Sequence, residues 1–464
     1  MHKRMMKQIP TRGLLFMLAV FGLIHLSNAQ QLHRKASLGI MMQALNDSLV
    51  AAYELDSSEG LYIMTVAPGS TVHAIGMQEG AILKRINGNP VNAPIDVFTT
   101  ITDFRAGDEI QLEYQQNGQE FNKKVKGIAR PWETYDNADI TYGAVSYEGN
   151  QLRSILYTPK NISNPPIVYF MQGYTCGSID LPFSPEQPYR RLVHDWVDAG
   201  YAVFRVEKPG VGDSESEIDC SRISFEQELR GFREGYKCLL QLDRVNLDEI
   251  FMFGHSMGGI IAPQLVDIKM PKGIITYGIG AKNWYDYMID LYTVQPKHFG
   301  VSEEQIKEDN KVNLKFNDDF LVRKLTGAEL AKNESYANLF NVEELRREQY
   351  IGRGFDFWQG LVDVDVPGSW TKVKTNVLAM HGEFDIQAIN DTGAKKIVEI
   401  VNSNGGSGTF LHIDKADHGF VNFNSMQENV ETLSNGMMSS YVRDNYNTEI
   451  VKKTISWMSK IQKS

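Results

Sequence analysis

The sequence predicts an α/β chain: a mostly parallel sheet flanked by helices, with an α-helical cap, preceded by a small mainly-β unit. Three observations carry that reading. Apolar runs at 165–171, 250–253 and 375–380 are continuous, as expected of parallel strands buried on both faces. Between the strand expected at 273–277 and the one at 375 lie about a hundred residues, too many for a loop, so they must fold into elements of their own. Ahead of residue 130 the pattern changes to short alternating segments separated by Gly, Asn and Pro, the signature of half-buried antiparallel strands.

Length and composition set the frame. A chain of 464 residues, 42% hydrophobic and 22% charged, is a globular protein of two or three units. At its start Lys3, Arg4, Lys7 and Arg12 precede an apolar run at 14–26 that ends in Ser27-Asn28-Ala29. This is the layout of a signal peptide over 1–29, cut after Ala29. The run is about 13 residues, short of the roughly 20 that span a bilayer. Its removal takes Lys+Arg from 47 to 43 against 57 acidic residues, so the net charge moves from −10 to −14. An acidic exported protein is not expected to bind nucleic acid or to insert stably in a membrane. Cys238 sits on a helix-patterned segment and reads as a free core thiol. Cys176 and Cys220 fall in loops at the C-terminal edge of the sheet, where an oxidising compartment makes their disulfide the expected one.

Residues 33–129 form the small unit. Gly60-Leu61-Tyr62-Ile63-Met64-Thr65-Val66-Ala67-Pro68-Gly69-Ser70 runs through Gly80 to Ile86-Asn87-Gly88-Asn89-Pro90-Val91, with Asn87-Gly88 as a tight hairpin turn. The segment resembles a PDZ domain of the kind fused to exported bacterial proteases. The resemblance implies that Ser37, Leu38, Gly39 and Ile40 form the loop whose N–H groups capture a peptide or protein C-terminus beside an added strand. Ala81 departs from the aspartate common at that position. The alternative is a structural appendage without a ligand. Pro131-Trp132-Glu133-Thr134 and the polar residues after it read as a linker.

Residues 136–464 form the larger unit. Segments 141–147 and 152–157 pair across a turn at Glu148-Gly149-Asn150, and the strand at 165–171 runs into Gln172-Gly173-Tyr174-Thr175. A helix at 192–199 and a strand at 201–206 lead to Glu207-Lys208-Pro209-Gly210-Val211-Gly212-Asp213-Ser214, read as a wall beside the site. The strand at 250–253 then delivers Gly254-His255-Ser256-Met257-Gly258 before a helix, which Pro263 should kink. Strand, Gly-x-Ser-x-Gly and helix resemble the nucleophile elbow of the α/β-hydrolases. The loop at 207–214 is similar to one in exported esterase-like members of that fold.

The resemblance supplies the remaining roles. The acid and histidine should follow the serine in chain order. His381-Gly382-Glu383-Phe384-Asp385 makes Asp385 the acid, with Glu383 as the rival carboxylate, and Ala416-Asp417-His418-Gly419-Phe420 makes His418 the base. Tyr174 and Met257 are assigned as the oxyanion-hole N–H donors, although Gln172 replaces the histidine common in that loop. No histidine pair has metal-ligand spacing, and neither Gly258-Gly259 nor Gly405-Gly406 precedes a phosphate-binding lysine, so no metal or cofactor is expected. The cap, 282–370, is rich in aromatics: Trp284, Tyr285, Tyr287, Tyr292, Phe355, Phe357 and Trp358 line an acyl pocket or form the cap's own core. The expected activity is hydrolysis of carboxylic esters through Ser256, Asp385 and His418. The alternatives are a peptidase or amidase with PDZ-assisted docking, and a non-catalytic binding protein tethered through its PDZ unit.

Overall fold

The computed structural model describes residues 32–52 and 58–463; the expected signal peptide, 1–29, lies outside them. No helix among the described residues is long and apolar enough to cross a membrane. The small unit is an antiparallel sheet of β1 (Ile40–Ala44), β2 (Leu61–Val66), β3 (Ile82–Ile86), β4 (Asn89–Pro90), β5 (Glu109–Gln116) and β6 (Gln119–Lys126). Its order is β1-β2-β3-β5-β6, with β4 paired to β3, so β1 is an edge strand. Asn87 and Gly88 both take positive φ, 51° and 80°, which closes the two-residue turn between Ile86 and Asn89. Leu61 and Ile63 on β2 and Leu112 and Tyr114 on β5 alternate inward and, with Leu83 and Ile86 on either side of a register shift in β3, make a separate core.

The larger unit holds β7 (Ala138–Tyr147), β8 (Asn150–Pro159), β9 (Pro166–Met171), β10 (Ala202–Val206), β11 (Asn246–His255) and β12 (Gly273–Tyr277). The cap follows, containing a two-stranded hairpin of β13 (Gln349–Tyr350) and β14 (Arg353–Gly354), and the sheet is completed by β15 (Asn376–Gly382) and β16 (Ser407–Ile413). The sheet order is β7-β8-β10-β9-β11-β12-β15-β16. The first two strands are antiparallel and the rest, from β10 onward, run parallel to one another. This is the arrangement of the α/β-hydrolase fold. β9 lies between β10 and β11, so successive connections leave it in opposite directions, and a crevice opens at its C-terminal end.

Helices cover both faces. Phe225–Leu239 packs Leu229, Phe232 and Tyr236 on one face, while Pro188–Asp198 and Thr448–Gln462 pack Trp196 and Met458 on the other. The first of these helices opens with a capping box: Ser224 Oγ accepts from Gln227 N–H at 3.2 Å, and Gln227 Oε1 accepts from Ser224 N–H at 2.9 Å. The cap helices Trp284–Thr293, Glu303–Asn317 and Phe355–Leu361 share a continuous core with the first sheet face.

Two expectations change. The segment read as a linker is packed into the larger unit, because Glu133 is buried and answered there. Its carboxylate pairs with Arg205 at 2.6 Å and accepts from Tyr157 Oη and Leu181 N–H, both at 2.6 Å. The helix after Ser256 ends instead of kinking: Gly258–Ile261 passes directly into a 3-10 turn at Ala262–Gln264. Pro263 has no N–H to continue the helical ladder. The small unit is locked to the larger one by buried charges. Arg34 bonds Asp180 and Asp213, Lys35 N–H donates to Asp213 at 2.8 Å, and Arg153 reaches both Asp213 and Leu32 O at 3.1 Å.

Candidate active site

Ser256 stands at the end of β11 with φ of 51°, a left-handed conformation that costs a residue with a Cβ about 1–2 kcal/mol. The surrounding glycines are steric requirements. A Cβ on Gly254 would lie 2.5 Å from Gly258 O, one on Gly258 would lie 2.2 Å from Met171 O, and one on Gly259 would lie 2.2 Å from Ile279 Cγ2. Without those side chains the helix start settles against the end of β9, which brings Met257 beside the loop that begins at Gln172. Ser256 N–H is bonded to Tyr277 O at 2.9 Å, tying the turn to the neighbouring strand.

Asp385 and His418 meet across the ends of β15 and β16. His418 Nδ1 lies 3.0 and 2.9 Å from Asp385 Oδ1 and Oδ2, and Oδ1 also accepts from Gln387 N–H at 2.9 Å and Ala388 N–H at 2.8 Å. Burial works against the Asp385 charge, but His418 and the backbone donors hold its pKa below the ordinary carboxylate value. Burial likewise opposes a charged His418, and Asp385 outweighs it, raising the imidazole above 6.5. With Nδ1–H given to Asp385, Nε2 is the acceptor left for a proton, and His418 and Ser256 line the same cavity. Gly278 permits this pairing: a Cβ there would stand 2.8 Å from His418 Nδ1. Glu383, the rival carboxylate, is exposed and accepts from Lys415 N–H at 2.8 Å.

His255, the residue before Ser256, is a buried support of the site. Burial pushes its pKa down to about 3, so it is neutral and carries one ring proton. Its Nε2 lies 2.8 Å from His418 O, a pure acceptor, so Nε2–H donates there. Nδ1 must then accept from Tyr189 Oη at 3.0 Å. The residue before the serine thus holds the backbone of the histidine loop. Its neighbour Asp417, raised to about 7 by burial, accepts from Gly419 and Val421 N–H groups at 2.8 Å and braces the same loop.

Tyr174 and Met257 both line the cavity, and among the described residues neither backbone N–H donates to another protein group. Both can therefore donate to an acceptor in the cavity; Met257 stands at the start of the helix Gly258–Ile261, where the first N–H groups have no intrahelical partner. The carbonyls of this loop are held from behind. Lys208 Nζ donates to Gly173 O at 2.6 Å, and Arg353 Nη1 donates to Tyr174 O. Both cations bond Glu228, at 2.7 and 2.9 Å, and all three side chains are buried. Burial lowers Lys208 to about 8, with Glu228 opposing the shift. The loop at 207–214, read from sequence as a wall, therefore supports the loop beside Ser256.

Cys176 and Cys220 are disulfide-bonded over a separation of 44 residues, joining the loop after β9 to the segment after 207–214. Cys238 is free and half-buried, more accessible than a core thiol. A loop of this length makes the disulfide worth about 4 kcal/mol of chain entropy. A Cys176→Ser/Cys220→Ser double variant should lose about that much stability in urea titration, and a reductant should reproduce the loss in the parent protein.

The cavity has a volume of about 330 Å³. Of the cap aromatics, Trp284, Tyr287 and Trp358 line it, whereas Phe355, Phe357 and Tyr292 are buried in the cap core and Tyr285 bonds Asp318. Trp284 stacks on Trp358 at 5.0 Å and on Tyr287 at 4.6 Å. Met288, Leu291, Ile260, Ile279 and Ile351 add aliphatic surface to the wall. Asp290 is the only carboxylate among the described lining residues, and it is paired with Lys282.

The remaining predicted positions lie elsewhere. Ser37, Leu38, Gly39 and Ile40 precede and enter β1, where a Cβ on Gly39 would overlap Ser70. Ser37 N–H donates to Ile128 O and Gly39 N–H to Ser37 Oγ, both at 3.1 Å, so two of the loop's four amides are already used. Among the described residues, Glu383, His412 and Asp414 bring metal-ligating atoms within 4.8 Å of one another; all three are exposed and none lines the cavity.

Comparison with known proteins adds the following. The Hydrolase_4 family model, serine aminopeptidase S33, matches residues 186–287, a span that includes Ser256 and stops short of Asp385 and His418. A probable periplasmic serine protease do/HhoA-like of Haemophilus influenzae is 29% identical over 93 residues, 20% of either chain. A probable periplasmic serine endoprotease DegP-like of Pseudomonas putida is 29% identical over 145 residues, 31% of this chain and 29% of the relative. The chain thus spans less than a third of the length of these relatives. Among solved structures, Est1E from Butyrivibrio proteoclasticus with bound ferulic acid matches 64% of this chain and 98% of its own, at 16% identity and a TM-score of 0.40. Pyrococcus horikoshii acylaminoacyl peptidase matches 75% of this chain and 49% of its own, at 14% identity and a TM-score of 0.40. The sheet order is that of the α/β-hydrolase fold, and the family match falls on the segment that carries Ser256.

Proposed function

We propose that the protein is an exported carboxylic ester hydrolase. Ser256 Oγ attacks the ester carbonyl as His418 Nε2 takes its proton, and Asp385 holds the imidazole tautomer and stabilises its cation. The tetrahedral oxyanion is received by the N–H groups of Tyr174 and Met257. Collapse expels the alcohol, protonated by His418, and water then releases the acid from the acyl-enzyme by the same steps. The observation that carries the ester reading is the composition of the cavity wall. An aminopeptidase must hold a substrate ammonium with a free carboxylate, and Asp290, the only one at the wall among the described residues, is already paired with Lys282. What remains is a wall of mostly aromatic and aliphatic side chains with the uncharged amides Gln295, Gln387 and Asn390 among them, a surface suited to an uncharged acyl group.

The small unit supports a second element of the reading, docking of a peptide or protein C-terminus by a PDZ domain. Among the described residues β1 is paired on one side only, the helix Pro94–Thr100 lies beside it, and Met41, Ile95 and Phe98 stand exposed. An edge strand next to an apolar rim is the surface used for strand addition. Export rests on the charge and hydropathy of residues 1–29 and agrees with the disulfide and with the periplasmic descriptions of the partial relatives.

The test is a panel of p-nitrophenyl esters of increasing acyl length set against aminoacyl p-nitroanilides. Ester turnover with the anilides untouched is the expected result, and the chain length of highest kcat/KM sizes the pocket. Preferred cleavage of anilides would replace the esterase reading with the peptidase one.

A further inference from the structure

We infer that Lys208, backed by Glu228 and Arg353, is a positioning residue that sets the Tyr174 N–H as an oxyanion donor. The inference rests on the serine-hydrolase reading above and extends it to residues outside the triad. Gly173 C=O and Tyr174 N–H belong to one planar trans peptide unit, in which the two bonds point in opposite directions. A cation bonded to Gly173 O at 2.6 Å therefore fixes where the Tyr174 N–H points. It also polarises that amide, since hydrogen bonds in series strengthen one another in a low-dielectric interior. The next carbonyl along, Tyr174 O, is held by Arg353, so the donor amide is fixed on both sides.

The three charges come from three separate parts of the chain. Lys208 lies in the loop after β10, Glu228 on the helix Phe225–Leu239 and Arg353 on β14 of the cap, with its guanidinium 3.7 Å from the centre of the Phe357 ring. Their side chains are 1% exposed or less. Burying them is costly, and stability alone is better served by apolar side chains. Two cations around one carboxylate leave an excess positive charge behind the place where the oxyanion forms. Glu207, the adjacent carboxylate, is turned away and bonded to Ser178, Ile179 and Asp180. Because Arg353 belongs to the cap, the cap that shapes the acyl pocket also holds the oxyanion loop.

The test compares the parent with Lys208→Met and Arg353→Met in three measurements. These are ester kinetics, thermal melting, and inhibition by an alkyl trifluoromethyl ketone, to whose carbonyl carbon Ser256 Oγ adds to give a hemiketal oxyanion. The expected result is a kcat lowered about 10- to 100-fold with KM within about two-fold, because only the transition state carries the oxyanion. The ketone should weaken by the same factor as kcat/KM. Folded Lys208→Met with parental kcat would overturn the inference, as would a loss confined to KM with ketone affinity unchanged. If Lys208→Met does not fold, Arg353→Met, which leaves Lys208 paired with Glu228, is judged by the same criteria. A parent protein that neither turns over esters nor reacts with the ketone would overturn the serine-hydrolase reading itself, and the positioning role with it.

Discussion

Ser256→Ala should lower ester turnover by roughly 10⁶-fold in kcat, to the level that binding and oxyanion contacts alone sustain. The size follows from the roles: without Oγ no acyl-enzyme forms, and His418 has no proton to take. The substitution leaves the rest of the site in place, since the turn is held by Ser256 N–H to Tyr277 O and by the glycines around it, none of which involves the hydroxyl. The KM for esters should change little. Stability supplies an internal control. Alanine keeps a Cβ at φ of 51°, so Ser256→Gly should be more stable than Ser256→Ala by about 1 kcal/mol while equally inactive. Urea titration of the pair, run beside the ester assay, separates strain at the elbow from chemistry. Ester activity surviving in both variants would remove Ser256 from the mechanism.

The elements that position this site were legible because their sequence signals are local. A run such as 165–171 has one physical interpretation, a strand buried on both faces, and β9 occupies Pro166–Met171. The elbow was equally plain, since glycines at 254 and 258 are demanded by contacts of 2.5 and 2.2 Å that any Cβ would make. What stayed hidden was set by long-range pairing. Nothing local distinguishes Lys208 in a glycine-rich loop from a solvated lysine; its burial depends on Glu228 and Gly173 arriving from other elements. Glu133 was read as part of a linker for the same reason, because Arg205 is its partner only after the sheet forms. His255 looked incidental until the neighbouring loop brought His418 O to its ring. The hairpin β13–β14 was masked by helical patterning on both sides. The cap aromatics divided between pocket and core in a way that needed three dimensions, since ring spacing alone does not say which side of a helix meets a cavity.

Asp385→Asn should cost about 10⁴-fold in kcat and should move the pH profile as well. An asparagine amide fits the same space, but its NH₂ can donate to His418 Nδ1, favouring the tautomer with the proton on Nε2, where it cannot accept from Ser256. The pH shift has a definite sign. His418 must be neutral to act as base, so activity rises with pH through its pKa. In the parent that pKa is raised: burial lowers it and Asp385 more than compensates, so the acid limb should lie above 6.5. Removing the carboxylate charge leaves burial in control, opposed only by the weaker field of Asp417, and the limb should move to lower pH. Glu383→Gln provides the comparison, because Glu383 is exposed and bonds Lys415 N–H instead of the imidazole. It should keep nearly parental kcat and an unmoved acid limb. If Glu383→Gln moved the limb while Asp385→Asn did not, the acid of the site would be Glu383, and the short contacts between Asp385 and His418 would be structural only.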